Sequence, residues 1–371
     1  MNKRLLKWTL VPLLVLVAAL AVGVRRADRT RTKTVHQTTT VTPQLAAPQQ
    51  KQVTRVLSEA HFSGTCSIFR HGREVMTVAR GMADNGAQVP NRRQTMYEID
   101  SIQKMITAAL LMQQVTAGKV SLNDRLSRFY PTAPGARHIT IRQMLDMTSG
   151  LSMTGAVGPT TVMSDRRIIA SDLHRVRFNP AMHGKWNYQP VNFNLLAGIL
   201  EQTSGQQYQT LVQQRVIARL HLKHTVFAYN VASQQLAATG YNSTGVQTAL
   251  NTYDHPAGRQ LAWEHDELGT GQLYMSTGDL YRVTRAILRG QLIPLSAVHQ
   301  LYRSGSPSTY GAGFYINDRL RSVNGAGYGF EGTLRISANG QNAVILLSNY
   351  QIPGMGIKKI ADAFNALASI T

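Results

Sequence analysis

The chain has 371 residues, 43% of them hydrophobic and 16% charged, enough apolar material for a large core and too much for wholesale disorder. Its formal charge is +20, of which residues 1–50 carry +7 and the remainder +13, so the main body is itself basic and suited to polyanions. One cysteine, Cys66, excludes an intrachain disulfide framework and a Cys-rich metal site, and no nucleic-acid-binding motif accompanies the charge.

Lys3, Arg4 and Lys7 precede an uncharged run of 17 residues from Trp8 to Val24, closed by Arg25-Arg26. Residues 1–26 therefore read as a signal anchor or a signal peptide, with Ala19-Leu20-Ala21 as a candidate cleavage site. The anchor is favoured. Either reading puts the remainder on the outer face of the cytoplasmic membrane or in the cell wall. Residues 27–52 are rich in Thr, Gln and charge without an apolar period, and read as a flexible stalk before a domain at 53–371. Cys66 lies in a strand-like run and reads as a small buried apolar residue.

Alternation predicts a hairpin over 64–69 and 74–79, turning at His71-Gly72. Helical spacing of Ile102, Met105, Ile106, Ala109 and Leu110 predicts a helix reaching Gln114. Further helices are predicted at 140–147, at 193–203 closed by Gly205, at 207–220, at 278–288 closed by Gly290 and at 357–370. A second hairpin is predicted over 333–337 and 343–348, turning at Asn339-Gly340. Strands at both ends and helices between them imply an α/β protein of the α+β type. One antiparallel sheet, formed by both chain ends, is flanked by helices and interrupted by a mostly helical insertion.

Ser101-Ile102-Gln103-Lys104 carries the candidate chemistry. A serine opening a helix sits where developing negative charge is favoured, and a lysine three residues on shares its face. A desolvated amine there can take the serine proton, which makes a nucleophile pair that needs no histidine. On its own the spacing also fits a helix-capping serine beside a surface lysine. There is no His-Glu-x-x-His, no clustered set with metal-ligand spacing and no Gly-x-Ser-x-Gly elbow. His255, His265 and His299 read as structural or exposed.

The wider setting is more specific. Glu98 to Lys104, followed by Thr107-Ala108-Ala109 and by Gly118 to Asp124, resembles the serine β-lactamase and penicillin-binding-protein family, in its class C-like branch. Phe62-Ser63-Gly64-Thr65, Gly81-Met82-Ala83-Asp84, Thr148-Ser149-Gly150-Leu151, Asn194 to Ile199 and Ser276 to Leu280 are similar to its further landmarks, so the resemblance spans about 55–365. It implies an exported serine acyl hydrolase with Ser101 as nucleophile, Lys104 as base and Tyr188 as general acid/base, without metal or organic cofactor. The family's Tyr-x-Asn falls on Tyr188-Gln189-Pro190, where proline lacks the amide; Asn187, Asn192 and Asn194 are candidate substitutes.

The family's third motif, Lys or His then any residue then Gly, matches the run from Asn324 to Gly332. The expected alignment puts Tyr328 in place of the cation and Phe330 in place of the glycine. Tyr328, Gly329, Phe330 and Glu331 are the candidate substrate-binding residues. A backbone N–H of this strand would complete an oxyanion hole with that of Ser101. Without the cation, a substrate lacking a free carboxylate is more natural. D-alanyl esters of lipoteichoic acid, the substrate of certain lactobacillar members of the branch, fit: the carboxyl is esterified and an ammonium is left. Glu331, Asp100 or Asp266-Glu267 are candidate receivers of that ammonium, and the basic surface suits a polyphosphate backbone. Two rivals remain. One is D,D-carboxypeptidase or penicillin-binding activity on peptidoglycan stem peptides. The other is a non-catalytic wall-binding factor on a degenerate hydrolase fold.

Overall fold

The first expected hairpin is present as β1 (Gly64–Arg70) and β2 (Arg73–Arg80). Five strands from the other end of the chain join it: β3 (Tyr310–Gly311), β4 (Phe314–Ile316), β5 (Leu320–Gly327), β6 (Phe330–Ser337) and β7 (Ala343–Ser348). Their spatial order is β3-β4-β5-β6-β7-β1-β2, antiparallel at every junction. The two hairpins pair directly, with Gly64 opposite Ser348 and Phe69 opposite Ala343.

The computed structural model describes residues 45–155, 158–243, 252–258, 260–303, 306, 308–352 and 356–370, all within one compact unit. The expected membrane segment (1–26) and most of the expected stalk lie outside the described residues. Among those described, no helix is long and apolar enough to cross a membrane. The stalk expectation fails at its end. Helix α1 (Ala47–Glu59) begins ahead of the ordered start expected at Val53. Its anchors are Val53 and Leu57, four residues apart and fully buried, while the polar residues before them form the first turns of the same helix.

Both faces of the sheet are covered, so its central strands are apolar on both sides. Along β7, Val344 and Leu346 face one core, with Cys66 and Ile68 of β1, α1 and the terminal helix. Ala343, Ile345 and Leu347 face the larger core beneath the insertion. Cys66 is buried as expected, and burial pushes its thiol up to about 12.

The insertion contains α2 (Lys104–Thr116), α3 (Ile141–Leu145), α4 (Asp165–Arg175), α5 (Val191–Ser204), α6 (Tyr208–Val212), α7 (Leu261–Asp266), α8 (Thr277–Leu288) and α9 (Leu295–Leu301); α10 (Ile357–Ala363) follows the sheet. Helix α2 is buried nearly all round and packs against α5, as a helix apolar on every side must. Gly205 closes α5 in the left-handed conformation, as expected. Two helices are shorter than their apolar spacing predicts. The run at 207–220 changes to a π-helical turn over Gln213–Ala218. The run at 357–370 breaks after Ala363 and resumes as a 3-10 turn, Ala366–Ala368. A small sheet of Tyr97–Glu98, Leu273–Met275 and Thr225–Phe227, not expected from the sequence, fixes the backbone just ahead of Ser101.

Candidate active site

Ser101 lies in a 3-10 turn, Asp100–Gln103, that leads straight into α2. The turn is held from both sides. Ile99 N donates to Leu273 O at 2.9 Å, and Ile102 N donates back to Ile99 O at 3.1 Å. Asp100 has φ +44°, a conformation non-glycine residues adopt at a cost, as residues beside a reacting centre sometimes do. Strand β5 passes so close that a Cβ on Gly325 would stand 2.2 Å from Ile99 O and 3.1 Å from Ser101 N. Glycine is therefore the residue that lets the strand backbone lie against that of Ser101.

Lys104 Nζ donates to Ser101 Oγ at 2.8 Å and to Thr270 O at 3.4 Å. The lysine is 1% exposed, so its head group is spent on these two oxygens rather than on water. The ring of Tyr188 faces it, 5.5 Å from centroid to Nζ. The segment carrying Tyr188 is pinned on each side: Asn187 N donates to Met147 O and Gln189 N to Met147 Sδ. Ser101, Lys104 and Tyr188 are thus brought together, in an arrangement suited to nucleophile, base and proton donor.

Pro190 caps α5 and its carbonyl accepts from Phe193 N. Of the candidate substitutes for the absent amide, Asn192 donates its side chain to Gln189 O, which makes it a support of the loop. Asn194 lines a neighbouring cavity and donates to the Asp266 carbonyl.

The expected third-motif residues separate. Tyr328 and Gly329, at φ +50° and +82°, form the two-residue turn between β5 and β6. That reversal puts β5, not the start of β6, beside Ser101, and so corrects the expected alignment. Asn324, Gly325 and Ala326 line the Ser101 cavity in place of Tyr328 and Phe330. Phe330 is buried in the core, edge-on to Tyr274. Gly329 packs against the backbone of Gly240 and Tyr241. Of the four, Glu331 alone lines the Ser101 cavity. This cavity, about 240 Å³, also takes in Tyr188, Tyr310, Tyr315 and Lys358. Lys358 comes from α10, and no spacing in the sequence ties it to Ser101. Burial pushes the Glu331 carboxyl up, and Lys358 opposes that shift.

Tyr328 instead lines a second cavity of about 490 Å³, together with Asp266, Glu267 and Thr270. Burial and the carboxylates of Glu267, Glu98, Asp100 and Asp266 push its phenol well up, so it stays protonated. Burial, then Glu267, also holds the Asp100 carboxyl well above the usual range, against the pull of Lys104. His265 is stacked on Tyr229, in keeping with a structural role. Among the described residues no group of three or more His, Cys, Asp or Glu is placed to hold a metal.

The beta-lactamase family model matches residues 50–367. PbpX of Bacillus subtilis (strain 168), a penicillin-binding protein by name, is 30% identical over 307 residues, 82% of this chain and 74% of its own. The teichoic acid D-alanine hydrolase of Staphylococcus aureus is 25% identical over 292 residues, 76% of this chain and 69% of its own. The crystal structure of FmtA from Staphylococcus aureus superposes with a TM-score of 0.75 at 23% identity, covering 88% of both chains. With a family match over almost the whole described region, the chain belongs to the beta-lactamase family, whose fold it shares.

Proposed function

We propose that this protein is a serine acyl hydrolase of the bacterial cell envelope that releases D-alanine from D-alanyl esters of teichoic or lipoteichoic acid. The observation that carries the chemistry is the 2.8 Å hydrogen bond from a buried Lys104 to Ser101 Oγ. Ser101 Oγ attacks the ester carbonyl as its proton passes to Lys104. The tetrahedral intermediate collapses and the polymer hydroxyl leaves with a proton delivered through Tyr188. Water then attacks the acyl-enzyme, and D-alanine is freed with Ser101 restored. Each half-reaction is easier than direct hydrolysis.

Two observations favour an ester. The strand beside Ser101 contributes Asn324, Gly325 and Ala326 to the cavity and no cation. The cation present, Lys358, shares the cavity with Glu331 and acts on that carboxyl, so a free carboxylate would meet a like charge beside it. The similarity to a teichoic acid D-alanine hydrolase points the same way. Similarity to a penicillin-binding protein favours the rival, D,D-peptidase activity on peptidoglycan. An envelope location follows from either substrate, and residues 1–26 would anchor or export the chain.

The test offers D-alanylated lipoteichoic acid, a peptide ending in D-Ala-D-Ala, and a penicillin to the wild type and to Ser101→Ala. The proposal expects free D-alanine from lipoteichoic acid with the wild type alone. D-alanine from the peptide, or a penicillin adduct on Ser101 without release from lipoteichoic acid, would transfer the protein to the peptidase reading.

A further inference from the structure

The second cavity is acidic in a strongly basic protein. Among the described residues, Asp172, Asp266 and Glu267 line it against a single guanidinium, Arg175. Asp172 is 3% exposed; its Oδ1 accepts from Arg175 Nη2 at 3.1 Å, and its Oδ2 has no hydrogen-bond partner among the described residues. Asp266 Oδ1 is likewise buried without a partner among them. Buried carboxylate oxygens are normally satisfied, so among the described residues this cavity is short of donors and of positive charge. The deficit acts on its members: burial and Asp266 push Asp172 up to about 7, and burial raises Asp266 too. Trp263 and Tyr328 complete the wall with aromatic surface, which attracts an organic cation.

The cavity borders the residues that hold the nucleophile pair. Thr270 lines it and links the two: its carbonyl accepts from Lys104, and its hydroxyl donates to Glu267 Oε2 at 2.5 Å. Glu267 Oε2 and the Asp100 Cα lie 3.0 and 3.4 Å from one point, the place a Cβ on Gly271 would take. The carboxylate therefore stands no farther from the residue preceding Ser101 than those two lengths together. Gln189 and Pro190, directly after Tyr188 in the chain, also line the cavity.

We propose that this cavity is the acyl subsite, and that Glu267 and Asp266, with Trp263 and Tyr328, receive the α-ammonium of an aminoacyl ester while its carbonyl lies at Ser101. The inference rests on the ester-hydrolase reading and adds that the enzyme selects acyl groups bearing a free ammonium. It assigns that group to the acidic cavity, away from Glu331, whose surroundings already include Lys358.

The test compares D-alanine methyl ester with its N-acetyl derivative. Turnover is measured with the wild type, Glu267→Gln and Asp266→Asn, and binding with Ser101→Ala alone and combined with each change. The wild type should prefer the free ammonium. Each variant should lower the ratio of kcat/KM for the two esters by roughly ten- to a hundredfold, mainly through KM. Binding of the ammonium ester to Ser101→Ala should weaken by a similar factor. Two separate carboxylates are tested so that misfolding of one variant leaves the other informative. A wild type indifferent to N-acetylation, or a ratio unmoved by both changes, overturns the subsite while leaving the ester hydrolase standing. Carboxylate-dependent binding without any turnover leaves the subsite standing and sinks the hydrolase reading.

Discussion

Lys104 reaches Ser101 because three residues of tight turn and helix put both side chains on one face, and it is held there by a second hydrogen bond, to Thr270 O. Replacing Lys104 by Met keeps the bulk and removes the base. Its kcat should fall roughly 10³-fold with little change in KM, since the lost contact acts on the reacting proton. Tyr188→Phe keeps the edge-on packing against Tyr310 and removes the hydroxyl. A kcat loss of roughly 10²- to 10⁴-fold is expected. Steady-state kinetics on D-alanyl ester checks both, and a variant retaining full kcat would remove that residue from the chemistry. Gly325→Ala tests the backbone approach. Its Cβ would collide with the Ile99 carbonyl, which cannot swing aside as a side-chain tip can. A stability loss of about 1–3 kcal/mol, with displacement of Ser101 and lost activity, should follow. A variant as stable and active as the wild type would contradict the close packing.

At the scale of elements, α4 contributes a carboxyl whose ionisation opposes folding. Asp172 is raised to about 7 in the folded protein, above the ordinary aspartate value of about 3.9. The folded state thus binds this proton more tightly than the unfolded chain. The associated stability is complete below about pH 4 and is lost as pH rises towards 7. Asp172→Asn cannot ionise, so the wild type should lose stability relative to it across that window, by on the order of a few kcal/mol. Denaturant unfolding at several pH values reads this directly, and a difference flat with pH would contradict it. The elements themselves were legible to differing degrees. Strong periodicity marked both hairpins, α2, α5 and α8, and the left-handed Gly205 marked a helix end. Ser101 and Lys104 were legible because both belong to one helical turn. Asn324 to Ala326 lay in the right run, but their face depended on which two residues made the turn, and Tyr328 is not an obvious left-handed residue. Lys358, Tyr310 and Tyr315 reach the cavity through tertiary packing alone, which no local pattern encodes. The start of α1 was hidden because its first turns are polar and only Val53 and Leu57 bury it.

For the whole molecule, the pairing of β1 with β7 joins strands from early and late in the chain into one sheet, and the Ser101 cavity draws Ser101 and Tyr188 from the insertion and Asn324, Gly325 and Ala326 from the sheet. The charge of +20 lies on the same molecule as an acidic cavity, so long-range attraction and local selection have opposite signs. The basic surface should draw a polyphosphate polymer, and the cavity should select its ammonium. Raising salt from about 0.05 to 0.3 M should therefore raise KM for D-alanylated lipoteichoic acid severalfold, by screening the many exposed contacts. KM for D-alanine methyl ester should move much less. Equal salt dependence for both would remove the surface from recognition. On this mechanism Ser101 becomes acylated in every turnover. The most direct test is intact-protein mass spectrometry of the wild type, acid-quenched within the first turnovers on D-alanylated lipoteichoic acid, with the modified peptide mapped. One D-alanyl group is expected on Ser101 and none in Ser101→Ala. D-alanine release that persists in Ser101→Ala, or an adduct on another residue, would contradict it.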